Sequence, residues 1–240
     1  MTLDPFRHHP ELTDLVADPE GAFLRNFSVE GLAKMLEDKG LPTGWWTTDE
    51  ERAADRAARM AERPEGDLWI FGYGSLMWDP GLIFTEVRRA HVPTHERRFI
   101  VRDTLGGRGT PESPGLMAAL DVGEGCDGLV FRIAEDAIEE ETQILWRREK
   151  LAPAYHSAFV AAQTEAGDVT ALTFVADHSA DLIRPDISRA DQVEYLAHGS
   201  GFLGTSVDYI RGIAEKFAAL GVEDTEVTEL LSETERVLAG

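Results

Sequence analysis

The sequence predicts an α+β fold: a small, mixed, barrel-like β-sheet flanked by helices. Short apolar runs bounded by glycine and proline fill the middle of the chain. Amphipathic helical patterns occupy both ends, and a single helical segment interrupts the strand series. Spacing alone leaves open whether such a sheet closes into a barrel.

Residues 1–66 read as a polar, helical N-terminal extension. Ser28 precedes Val29, Leu32, Ala33, Met35 and Leu36, an amphipathic pattern stopped by Gly40 and Pro42. Thr47 and Thr48 precede Glu50 and Glu51 at capping-box spacing, which starts a second helix running to Pro64. No chemistry is evident here, and His8 and His9 read as solvated. Residues 67–240 form the main domain with its C-terminal helices. Leu68, Trp69, Ile70 and Phe71 make a buried strand that feeds a glycine turn. Further strands are expected at 99–101, 116–122, 128–133, 155–162 and 169–175. Helices are expected at about 136–150, 191–198, 206–220 and 225–238.

With 240 residues, 43% hydrophobic and 28% charged, the composition is that of an ordinary globular chain. The formal net charge of −21 repels nucleic acid unless a local basic patch exists. Arg97-Arg98 and Arg147-Arg148-Glu149-Lys150 are the densest basic spots, so no nucleic-acid partner is expected and the acidity reads as a device for solubility. Cys126 is the lone cysteine, which rules out an intramolecular disulfide and suits a reducing compartment. The first residues lack a basic region followed by an apolar run, and no stretch is apolar enough to span a bilayer. A cytoplasmic location without membrane partners is the expectation.

Two segments carry candidate chemistry. In Gly72-Tyr73-Gly74-Ser75-Leu76-Met77, two glycines flank an aromatic after a strand, which lets the backbone turn sharply and approach a ligand. Successive N–H groups there could hold a carboxylate or an oxyanion, with the Ser75 hydroxyl as a further donor; a tight turn without a ligand fits the same residues. No Lys-Ser/Thr pair follows, as a phosphate loop requires. Tyr73 and Met77 stand where a nucleophile elbow needs glycine, so Ser75 is a poor nucleophile.

The second segment is the helix ending near Lys150. At about 100° per residue, Thr142, Leu145, Trp146 and Glu149 fall within roughly 80° of Ile138. Glu149 therefore shares the apolar stripe. A carboxylate there is buried in an ion pair or a cavity, with a pKa raised by desolvation, unless the helix frays and solvates it.

Other residues are weaker candidates. His91 and His95 are four apart, but Pro93 lies between them, and no metal site is expected. Arg108, among Gly106, Gly107 and Gly109, either grips a carboxylate bidentately or is an ordinary surface arginine. Cys126 reads as a small core residue.

Together these residues resemble the ChaC family of γ-glutamylcyclotransferases, in its bacterial branch. Trp69 to Trp78 resembles the family's opening strand and signature turn. The likeness continues through Arg97-Arg98-Phe99, Gly107-Arg108-Gly109-Thr110, Pro114-Gly115, and Leu145-Trp146-Arg147-Arg148-Glu149. It ends at Gly201 to Tyr209, read as Gly-x-Leu-Gly-Thr-x-x-x-Tyr, and spans about residues 67–220 in order. Phe202 and Ser206 depart from the expected proline and asparagine, and Lys150 to Ala154 replace a glycine-containing stretch.

The resemblance implies a γ-glutamylcyclotransferase-like fold and a cofactor-free lyase acting on glutathione, which releases 5-oxoproline. Glu149 would be the acid/base residue. Gly72, Tyr73, Gly74, Ser75, Leu76 and Met77 would bind substrate, and Arg108 would meet its glycine end. A catalytically silent binder of γ-glutamyl compounds is the alternative.

Overall fold

A computed structural model describes residues 3–240. The N-terminal segment carries three helices, α1 (Phe23–Asn26), α2 (Val29–Asp38) and α3 (Asp49–Met60). Ser28 caps α2 by accepting the Gly31 N–H, and Thr48 and Glu51 close the expected capping box on α3.

The sheet contains β1 (Leu68–Gly72), β2 (Glu86–Val92), β3 (His95–Asp103), β4 (Gly115–Val122), β5 (Cys126–Ile133), β6 (Tyr155–Ala162) and β7 (Val169–Ala176). Its order is β2-β5-β1-β7-β4-β3, with β6 also paired to β7. β7 is the junction. β6 runs antiparallel along one edge, while β1 and β4 share the other in parallel, at Ala171–Leu172 and at Val175. The expected mixed sheet is present, but it is not closed into a barrel. β2 and β6 meet only through a single bridge between His91 and Gln163.

The sequence reading had no strand at β2, which carries Glu86, Arg88, Arg89 and His91. Seven paired residues on β5 hold it in place. Its Glu86 is buried among Arg7, Arg88 and Arg132. Burial pushes the Glu86 carboxyl up, and the three guanidiniums outweigh that and hold it below its ordinary value.

The remaining helices are α4 (Ile138–Glu149), α5 (Arg189–His198), α6 (Ser206–Leu220) and α7 (Thr225–Ala239). A two-stranded hairpin, β8 (Ser200–Gly201) with β9 (Gly204–Thr205), leads into α6. The main core joins the sheet residues Ile70, Phe131 and Phe174 to Trp146 of α4 and Ile210 of α6. Trp146 meets Phe174 edge-on at 5.3 Å. Among the described residues no helix is long and apolar enough to cross a membrane.

The N-terminal segment is bound to this framework by paired charge. Arg25 donates to both carboxylate oxygens of the buried Glu141 on α4, at 2.7 and 3.0 Å, and the Ile83 N–H donates to the same carboxylate. A bidentate pair of this kind fixes orientation as well as distance.

Candidate active site

β1 delivers the chain into Tyr73 and Gly74, and Ser75–Met77 then form one 3-10 turn. Neither Gly72 nor Gly74 has a positive φ. Their requirement is space. A Cβ on Gly72 would sit 2.8 Å from Leu76 Cβ, and one on Gly74 would sit 2.5 Å from the Tyr209 hydroxyl. Arg97 of β3 holds the turn from beneath: its Nε donates to the Tyr73 carbonyl at 2.7 Å, and its guanidinium lies 4.6 Å over the Phe217 ring. Asp224, the N-cap of α7, balances the Arg97 charge.

Glu149 is the last residue of α4 and stays helical rather than frayed. Its side chain keeps 16% of its surface, and it lines a pocket together with Tyr73, Gly74, Ser75 and Leu76. Burial raises its pKa, and the neighbouring Arg148 offsets only part of that rise.

Arg148 spans the gap between helix and turn. Its Nε lies 2.8 Å from Glu149 Oε1, its Nη2 donates to Ser75 Oγ at 2.9 Å, and its Nη1 donates to the Pro80 carbonyl at 3.1 Å. The Ser75 oxygen thus accepts from a guanidinium, which leaves its hydroxyl hydrogen free to donate. A general base facing Ser75 would leave the opposite arrangement, so this geometry does not activate the hydroxyl as a nucleophile.

Three tyrosines complete the polar end of the pocket: Tyr73, Tyr155 of β6 and Tyr209 of α6. Burial raises the pKa of each, so all three are neutral hydroxyls. Tyr73 donates to the Phe174 carbonyl at 3.0 Å, and the Tyr209 oxygen accepts the Ala118 N–H at 3.3 Å. Asp103, also on the wall, accepts the Leu105 and Arg108 N–H groups and shapes the glycine loop.

Five of the residues named from sequence therefore come together: Tyr73, Gly74, Ser75, Leu76 and Glu149. Gly72 and Met77 pack behind the turn. Arg108 is absent from the pocket wall. Its guanidinium lies 5.0 Å over the Tyr209 ring and donates to the Thr205 carbonyl at 3.1 Å. Of the two departures in the C-terminal motif, Phe202 lines the pocket, whereas Ser206 is buried away from it and accepts the Leu116 N–H.

Sequence reasoning passed over Arg148 and Tyr155, and gave Tyr209 no role. It also saw no chemistry in residues 1–66, yet Phe23, Phe27 and Trp45 line the pocket. Cys126 is buried and its thiol is pushed up to about 11 by desolvation. His91 of β2 pairs with Asp127 of β5 at 3.3 Å. Among the described residues no three His, Cys, Asp or Glu side chains group as metal ligands.

The family model described as ChaC-like protein matches residues 68–237. The glutathione-specific γ-glutamylcyclotransferase of Escherichia coli is 36% identical over 192 residues, covering 79% of this chain and 83% of that protein. The enzyme of the same name from Schizosaccharomyces pombe is 29% identical over 195 residues, covering 72% and 95%. Among solved structures, a yeast γ-glutamyl cyclotransferase specific to glutathione superposes with a TM-score of 0.66 at 18% identity, covering 72% of this chain and 97% of that one. The chain belongs to the ChaC-like family.

Proposed function

We propose that this chain is a γ-glutamylcyclotransferase that cleaves glutathione to 5-oxoproline and cysteinylglycine, with Glu149 as its acid/base residue. The relatives' shared activity supports the reaction and substrate. The observation that carries the site assignment is the raised-pKa carboxyl of Glu149, open to a pocket whose other polar wall is the Tyr73–Leu76 turn. The catalytic groups are assigned to residues 67–240, and residues 1–66 contribute one wall of the pocket.

The γ-glutamyl α-amine arrives as an ammonium. Glu149, ionised, takes one of its protons. The freed nitrogen attacks the γ-carbonyl carbon of the same residue, forming the new C–N bond of a five-membered ring. The carbonyl oxygen becomes an oxyanion, stabilised by N–H groups of the Gly74–Leu76 turn and by the Ser75 hydroxyl. The protonated Glu149 then donates to the cysteine nitrogen, the old amide bond breaks, and cysteinylglycine leaves. The ring nitrogen still carries a second proton, which passes to the emptied Glu149 carboxylate and on to the departing amine, so that 5-oxoproline leaves as a neutral lactam and cysteinylglycine as an ammonium; atoms balance without consuming water or using a protein nucleophile. Holding the γ-glutamyl chain folded contributes the entropic advantage of an intramolecular reaction.

Arg148 positions the Glu149 carboxylate and ties it to Ser75. Arg108 acts through Tyr209 instead of touching substrate, with its planar cation stacked on the ring that fills the space beside Gly74.

The test is incubation of the purified chain with glutathione and assay for 5-oxoproline and cysteinylglycine in equal amounts. Stoichiometric release is expected. Binding of glutathione without release would make the chain a γ-glutamyl-binding module and remove the catalytic reading.

A further inference from the structure

Beyond Glu149 the pocket wall turns to hydrocarbon. Leu151, two residues on, packs in one apolar cluster with Phe27, Leu32 and Trp45, and all four line the pocket. Phe23 stacks against Phe27 with ring centroids 5.9 Å apart and meets Phe202 edge-on at 6.1 Å. Phe23 remains 48% exposed. This aromatic surface is held in place, because Arg25, two residues along the same helix, is locked to Glu141 and to the Gly81 carbonyl.

The charged side chains on the wall are Asp103, Arg148 and Glu149. Arg148 is committed to Glu149, Ser75 and the Pro80 carbonyl. Asp103 is committed to the glycine loop. No uncommitted cation among the described residues lines the pocket. Beyond Glu149 and the turn, the wall is aromatic and aliphatic surface.

We infer that this half of the pocket takes an apolar group carried on the cysteine sulfur, and that S-alkylated glutathione is a better substrate than glutathione itself. The inference rests on the reading of Glu149 as the acid/base residue. The bond changes are unaltered: the α-amine displaces the S-alkylcysteine nitrogen, Glu149 shuttles the proton, and S-alkylcysteinylglycine leaves with 5-oxoproline. A free thiol covers little of the aromatic wall. Each methylene removed from water is worth about fourfold in binding. Binding gained at a site remote from the reacting bond can be used to orient it, so the gain appears in kcat/KM.

The experiment measures kcat/KM by 5-oxoproline release for glutathione and its S-methyl, S-butyl and S-hexyl derivatives, using the full chain. A rise with alkyl length is expected, reaching about tenfold or more for S-hexylglutathione over glutathione. That ratio falls to about threefold or less in Phe27→Ser, and also in Phe23→Ser, whose half-exposed position lets the chain fold. If glutathione is cleaved and S-hexylglutathione is cleaved no better, the inference is wrong and the cyclotransferase reading stands. A tenfold preference that survives both substitutions overturns the aromatic wall as its cause. Absence of 5-oxoproline from every substrate overturns the cyclotransferase reading and this inference with it.

Discussion

Arg148 and Glu149 are adjacent in sequence and still form an ion pair, Nε to Oε1 at 2.8 Å, at the end of α4. Successive helical residues ordinarily point about 100° apart and do not face each other. Here the helix stops at Glu149, and the Arg148 guanidinium is drawn over the Ser75–Pro80 segment, so both side chains converge on the pocket floor. The carboxyl is thus desolvated and partly compensated at once.

Glu149→Gln should retain the fold and lose activity by a factor of about 10² to 10⁴, because an amide cannot accept the ammonium proton. The check is single-substrate kinetics on glutathione with circular dichroism as the folding control; activity within threefold of the parent removes Glu149 from the mechanism.

The pH dependence has a definite sign. The base must be ionised, and its pKa is raised by burial, so the acid limb of kcat/KM has its midpoint above the ordinary glutamate value of 4.5. Arg148 lowers that pKa, so Arg148→Gln should move the acid limb to higher pH as well as reduce the maximum. For stability, the raised pKa means that folding loses free energy as pH climbs from the ordinary carboxylate range through the raised value. Glu149→Gln should abolish that component of a stability–pH curve. An acid limb in Arg148→Gln that stays in place or shifts downward contradicts the electrostatic coupling.

Ser75→Ala removes one hydrogen-bond donor and the acceptor of Arg148 Nη2. A loss of about tenfold is expected, the size of one hydrogen bond, with the backbone N–H groups retaining the remainder. Fluorophosphonates should leave the parent unmodified. A covalent adduct on Ser75 would replace the proposed mechanism with serine catalysis.

Arg108→Ala loses a stacked cation and one hydrogen bond to the Thr205 carbonyl, together about 1–2 kcal/mol of stability. Thermal melts should show the loss directly. The preference for glutathione over γ-glutamylalanine should stay within about twofold of the parent, since Arg108 stands behind Tyr209. A collapse of that preference would bring Arg108 back to the substrate's glycine end.

Much of the fold was legible locally. The caps at Ser28 and Thr48, the Leu68–Phe71 run and the stripe that included Glu149 are written in nearest-neighbour chemistry. β2 was not, because its buried Glu86 is compensated by Arg7 and Arg132, each more than forty residues away. Arg148 was hard to see for another reason. On a wheel of about 100° per residue it falls at the border of the apolar stripe, where a charge run reads as a solvated face. The aromatics of residues 1–66 gave no signal, since Phe23 and Trp45 join the pocket wall only through tertiary packing. The two glycines of the turn were recognised, but part of their reason was not: they make room for Leu76 Cβ and the Tyr209 hydroxyl, without a positive φ.

The fit of the Tyr209 hydroxyl beside Gly74 also sets an order of assembly. The two residues are separated by most of the chain, and Tyr209 arrives on α6 after every strand of the large sheet has been made. A nascent polypeptide that has reached β7 carries Glu149 and its glycine turn, yet Phe202, Leu203 and Tyr209 of the pocket wall are missing. The pocket forms only when α6 has emerged and docked. A chain interrupted before that point would therefore present apolar surface without a finished cavity.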